Sequence, residues 1–153
     1  LAEAEAIHRP GMDASGVSFV VDAPVDLPVV EADGARLLRM IDNLLGNARR
    51  HTPAGGSVRL SATAEGPAVV LRVEDTGPGV PADEREAVFE RYYRGGDART
   101  RGEGTGLGLA IARGLVEAHD GDIAVCNHDA GCRFTVRLPL ARGSAPSPQR
   151  ERA

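Results

Sequence analysis

Hydrophobic positions along this chain switch between a period of 3.6 and a period of 2, and the switches mark its elements. The longest run at the helical period spans Asp33 to His51, where Leu37, Ile41, Leu44, Leu45 and Ala48 fall on one arc with Leu38 and Met40 at its edges. Asp33 is the expected N-cap, and Thr52-Pro53 with Gly55-Gly56 the stop. Ahead of it, LAEAEAIHRPGM reads as the end of a helix broken before Pro10, and Val17–Asp22 as a strand. Period 2 then takes over in SVRLSATAE and AVVLRVED: Val58, Leu60 and Ala62 alternate in the first, Val69, Leu71 and Val73 in the second. Gly66-Pro67 joins them as an antiparallel pair.

Beyond that pair the pattern is shorter and more polar. Residues 82–91 (ADEREAVFER) predict a short acidic helix ending in Phe89, Tyr92 and Tyr93, a cluster that reads either as a local mini-core or as a hydrophobic wall for a base. A Gly-rich stretch, residues 94–105, carries Arg94, Arg99 and Arg101 and has no periodicity, as a lid over an anionic ligand would. LAIARGLVEAH follows as an amphipathic helix with Leu107, Ile111, Leu115 and Ala118 expected on its buried side. Strands at Asp122–Asn127 and Cys132–Leu138 close the sheet, and the Pro, Ser and Arg residues from Ala141 onward have nothing to bury and are expected to be disordered. One apolar sheet face against one apolar helix arc gives a two-layer α/β sandwich.

Composition narrows the function classes. The 153 residues suit one core, with aromatics at 3% and tryptophan absent, so packing rests on Val, Leu, Ile and Ala. Eighteen basic against 22 acidic residues, net charge -4, argue against a general nucleic-acid binder. Every basic residue is arginine, which excludes a lysine nucleophile or a Walker-type lysine. No stretch reaches the length of a membrane span and the N-terminus has no signal-peptide pattern, so the domain is expected to be soluble, without direct membrane contact. Cys126 and Cys132 flank a predicted turn; a disulfide is geometrically conceivable, but small buried hydrophobes are the simpler reading. His8 has no evident partner and reads as a surface histidine.

The candidate chemistry lies on the polar side of the long helix and in two glycine loops. Arg36, Arg39, Asn43, Asn47 and Arg50 lie opposite the apolar arc, so two amides stand one turn apart among guanidiniums. Asparagine is a poor helix former, and an amide oxygen suits Mg²⁺ as arginine suits phosphate; an Asn-tolerant surface face is the competing explanation. Asp75-Thr-Gly-Pro-Gly-Val-Pro81 is either a turn or a close backbone approach beside a carboxylate that could accept from a purine amine. Gly104-Thr-Gly-Leu-Gly108 leads into a helix, where exposed N–H groups and the helix dipole favour phosphate. It is no Rossmann fingerprint, lacking the βαβ context.

In order, NLLGNARRHTP, EDTGPGVP, FERYYRGG and GTGLGLAI resemble the N, G1, F and G2 boxes of the catalytic ATP-binding domain of sensor histidine kinases, over about residues 15–140. The resemblance implies the Bergerat-type fold, a mixed, mostly antiparallel sheet of about five strands on about three helices, with residues 1–14 leading from a dimerisation hairpin outside the sequence. It implies ATP and Mg²⁺ as cofactors, with Asn47 as the Mg²⁺ ligand, Asn43 beside it on the phosphates, Arg50 on phosphate and His51 beside the nucleotide. Asp75 would hold the adenine amine, Gly77 and Gly79 would allow close approach, Tyr93 would pack near the base, and Arg94 would reach the γ-phosphate. Gly104, Thr105, Gly106, Leu107 and Gly108 would wrap the phosphates, and Glu103 would point away from them. Related gyrase, mismatch-repair and chaperone ATPases carry a glutamate base one turn before the Mg²⁺ asparagine; Asn43 stands there, so transfer rather than hydrolysis is expected. The acceptor histidine motif is absent from this sequence, which makes a histidine on a separate domain, with a response regulator downstream and a membrane sensor as the parent, the implied setting. A non-catalytic or anti-sigma-like serine-kinase module is the alternative, which loss of Asn47 or Asp75 would have favoured; both are present.

Overall fold

The computed structural model describes residues 1–94, 106–128 and 131–142. Helices α1 (Ala2–Ala14), α2 (Gly34–His51) and α3 (Gly108–Glu117) share one core with the inner face of a five-stranded sheet. Its strands are β1 (Ser18–Asp22), β2 (Ser57–Glu65), β3 (Ala68–Asp75), β4 (Asp122–His128) and β5 (Gly131–Pro139), in the order β1-β2-β3-β5-β4. Only the β1–β2 pair is parallel, because α2 intervenes as the crossover between them. The other pairs are antiparallel: short turns join β2 to β3 and β4 to β5, and β3 pairs with the distant β5 in the same sense. The expected two-layer sandwich is therefore the fold, and both central strands span the predicted residues.

Alternation accounts for the two faces of the sheet. Val58, Leu60, Ala62, Leu71 and Val73 are buried with Phe134, Val136 and Leu138 of β5 against Ile41, Leu44, Leu45 and Ala48 of α2. The outer face is a ladder of ion pairs, Arg59 with Asp22, Arg72 and Arg137 with Glu65, and Arg133 with Glu74. Asp33 caps α2 as expected, its carboxylate accepting from the Arg36 N–H at 3.1 Å.

Several expectations are corrected. Helix α1 runs straight through Pro10, whose ring is exposed while Ala4 and Met12 are fully buried on either side; that anchorage outweighs the backbone bond proline cannot make. His8 has a partner, its Nε2 lying 2.8 Å from Asp42 Oδ1 on α2. Met40, placed at the edge of the arc, is wholly buried. The acidic helix over residues 82–91 is instead two 3₁₀ turns, Ala82–Glu84 and Ala87–Phe89. A segment this short has little helical stability of its own, and Phe89 is fixed edge-on against Phe134, with the Arg113 guanidinium 5.3 Å from its ring centre.

Helix α3 is turned from its expected phase. Ala112 and Val116 are its buried residues; of the expected side Leu115 packs partly against the core, Leu107 and Ile111 are half-buried and Ala118 is exposed. The two cysteines are free and stand on opposite faces, since Cys126 pairs across with Arg133 and Asn127 with Cys132. Ala141, placed in the disordered tail, donates its N–H to the Val29 carbonyl; residues 143–153 lie outside the described residues. No helix among the described residues is long and apolar enough to cross a membrane.

Candidate active site

A cavity of about 370 Å³ opens between α2, the loop after β3 and the start of α3. Helix α2 supplies one wall through Asn43, Asn47, Arg50 and His51, all four being residues singled out on the polar arc or beside it. That arc can face a cavity because Leu44, Leu45 and Ala48 on the other side hold the helix against the sheet. Asn43 donates from Nδ2 to the Arg39 carbonyl at 3.0 Å, which leaves its oxygen directed away from the helix backbone. Gly108, the first residue of α3, abuts that oxygen: a Cβ there would lie 3.3 Å from Asn43 Oδ1. Among the described residues no side chain caps α3, and its first residue lies beside the amide.

Asp75 closes the cavity at the end of β3, at 3% exposure. Its Oδ1 accepts from the Gly77 N–H at 2.8 Å. Burial raises the carboxyl above the ordinary value of 3.8, partly offset by the Gly77 bond and the positive potential of His51. Buried carboxylates normally have their acceptor capacity filled, and one that lines a cavity is suited to a donor arriving from a ligand. Tyr93, Arg94, Gly79 and Gly106 also line the cavity.

The other expected site residues divide in two. Gly77 and Leu107 do not line the cavity, and Gly104 and Thr105, like Arg99, Arg101 and Glu103, lie outside the described residues. The aromatic trio separates as well: Phe89 is core, Tyr93 is cavity wall and Tyr92 is exposed. Tyr92 takes a left-handed backbone, φ 61°, from which its N–H donates to the Gly106 carbonyl at 2.8 Å.

The bare sides of the loop glycines are filled by the protein itself. A Cβ on Gly77 would lie 2.6 Å from the His51 carbonyl oxygen, one on Gly79 2.7 Å from Asn127 Oδ1, and one on Gly106 2.7 Å from Tyr92 Cα. The lack of a Cβ at these positions lets the backbone pack against α2, β4 and the 92–93 segment.

Sequence reasoning missed the apolar walls Val88, Leu109, Cys132 and Phe134 and the carboxylates Asp42 and Glu84. Cys132 stays a thiol, its pKa pushed up to about 12 by burial and then by Asp75. Only the N-terminal part of this set carried a signal, since Asp42 sits beside the amide pair on α2.

Residues 32–142 match the family model described as histidine kinase-, DNA gyrase B-, and HSP90-like ATPase. The chain belongs to this ATPase family. Within the family it is similar to the probable sensor histidine kinase TcrY of Mycobacterium tuberculosis, 45% identical over 80% of this chain and 26% of that protein. The solved mycobacterial sensor histidine kinase MprB is 33% identical, with a TM-score of 0.79 over 91% of this chain and 95% of that one. Full-length ShkA, solved in complex with AMPPNP, is 32% identical, with a TM-score of 0.81 over 95% of this chain and 30% of that one. The chain spans about a quarter to a third of the length of the curated relatives it matches. What it shares with them is the ATP-binding catalytic domain of this ATPase family.

Proposed function

We propose that the domain binds ATP with Mg²⁺ in this cavity and transfers the γ-phosphoryl group to a histidine on a separate domain, from which a response regulator would receive it. The observation that carries the reading is a buried carboxylate, Asp75, and an amide pair, Asn43 and Asn47, lining one cavity of about 370 Å³. An adenine amine donates to Asp75, while the triphosphate runs toward the two amides, Arg50, Arg94 and the N-terminus of α3.

The donor set fits a Mg²⁺ ion that brings most of its own ligands. Among the described residues no three His, Cys, Asp or Glu side chains gather to hold a metal, so Asn47, with Asn43 beside it, would join phosphate oxygens and water around the ion. When bound, Mg²⁺ neutralises charge on the phosphates. The chain's own residues orient the γ-phosphate and leave it toward the open side. Asn43 has no useful basicity for activating water, and Asp42, the nearest carboxylate on α2, is already engaged by His8. Both features favour an external nucleophile over hydrolysis.

Calorimetric titration with a nonhydrolysable ATP analogue tests this, with and without Mg²⁺, on the chain and on Asn47→Ala. Saturable binding that loses its Mg²⁺ dependence in the variant is expected; absence of binding by the unmodified chain would leave a folded, non-catalytic module. Adding a histidine-bearing hairpin domain then checks transfer, read as acid-labile phosphohistidine.

A further inference from the structure

The loop that follows Asp75 is held by remarkably few of its own atoms, and the residue that fixes its far end lies in none of the matched motifs. Residues 76–81 include Pro78 and Pro81, which have no N–H to donate, and two glycines. Thr76 donates its N–H to the Ser57 carbonyl at 3.1 Å and Gly77 donates to Asp75, which secures the near end. At the far end the Val80 N–H donates to Asn127 Oδ1 at 2.8 Å. The same oxygen occupies the bare side of Gly79, whose φ of +79° is a conformation that L side chains rarely adopt. Both Gly79 and Val80 line the cavity on the Asp75 side.

We propose that Asn127, at the end of β4, is a positioning residue for base recognition: through Val80 and Gly79 it sets the height of the loop that forms the base end of the cavity. The inference rests on the ATP-binding reading above. Asn127 does not touch the cavity. Its oxygen fills the space a side chain on residue 79 would need, so the acceptor and the glycine act as one unit. Losing the acceptor frees the Val80 N–H; the Glu84 N–H still donates to the Pro81 carbonyl at 2.9 Å, but that bond ties the loop forward to the 3₁₀ turn and not to the sheet. The base end then loosens while the amide wall on α2, more than 75 residues away in sequence, is left intact.

Asn127 is exposed, so Asn127→Ala is expected to fold, and a thermal melt beside the unmodified chain establishes that. Titration with nonhydrolysable ATP and GTP analogues, each with and without Mg²⁺, is the decisive measurement. Asn127→Ala should weaken the ATP analogue about fivefold, the scale of one net hydrogen bond, narrow its preference over the GTP analogue, and leave Mg²⁺ dependence unchanged. Asn127→Asp keeps an acceptor for the Val80 N–H and should restore the preference. Unchanged ATP-analogue affinity in Asn127→Ala overturns the proposal. So does an equal loss for both analogues that Asn127→Asp fails to restore, since that is a general loosening of the fold. Failure of the unmodified chain to bind either analogue overturns the ATP-binding reading itself, and this inference with it, and is thereby told apart from a failure of Asn127 alone.

Discussion

Asp75 is a residue whose duty toward a ligand works against the stability of the protein without one. Its carboxyl is raised above 3.8 chiefly by burial, so the stability it contributes is fully present below that value and is lost as pH rises through the raised one. Asp75→Asn removes the penalty: the ligand-free variant should melt no lower than the unmodified chain at neutral pH, with any advantage fading as pH falls toward 3.8. Binding of the ATP analogue should fall at the same time. Thermal melts across pH, paired with titration, check both, and a clear drop in neutral melting temperature would contradict the assignment. Asp75, Asn43 and Asn47 were legible in the sequence because each is an odd choice for its place, a carboxylate ending an apolar strand and two amides inside a helix. Cys132, Phe134 and Val88 were not, since they are ordinary core residues that reach the cavity only when β5 and the 3₁₀ turns are brought beside α2. The loop glycines stood out in the sequence as places of close backbone approach, and the geometry adds a second need for them, since their bare sides are filled by His51, Asn127 and Tyr92.

Among the elements, α3 shows where periodicity stops being sufficient. Its sequence, GLAIARGLVE, is apolar on more than one side, so several arcs compete and periodicity alone favours the bulkiest. Packing beside α2 selects instead the arc with the small Ala112, which allows close approach, together with Val116. A second apolar stripe, Leu107 and Ile111, is left half-buried. Val116→Ala should therefore cost about 1–3 kcal/mol as buried methyl groups are deleted, and Ile111→Ser, at a half-buried site, should cost less than that. Urea unfolding of the two variants distinguishes the phases, and a larger loss for Ile111→Ser would restore the one expected from the sequence. Helix α1 teaches the reverse lesson, for Pro10 is a strong local stop signal that Ala4 and Met12, buried on both sides of it, overrule.

At the scale of the whole molecule, the fold was legible because the central elements keep their periods: α2 has one apolar arc, β2 alternates, and β3 alternates through Leu71, Val73 and Asp75 although Val70 is buried on its other face as well. The strand order was not, because which neighbour β5 chooses is settled by packing against helices distant in sequence. The bond from the Tyr92 N–H to the Gly106 carbonyl has a bearing on how freely this scaffold can be varied. It pins together two points 14 residues apart, the second of them on the cavity wall, by a bond that does not itself depend on the length of chain between them. Entropy of ring closure grows only with the logarithm of length, and doubling the stretch should cost about 0.6 kcal/mol. Extra Gly-Ser residues inserted between positions 95 and 105 should thus lower the melting temperature by only a few degrees, as calorimetry would read it. New sequence can therefore enter between those two points while the bond that joins them, and the described residues on either side, keep their places.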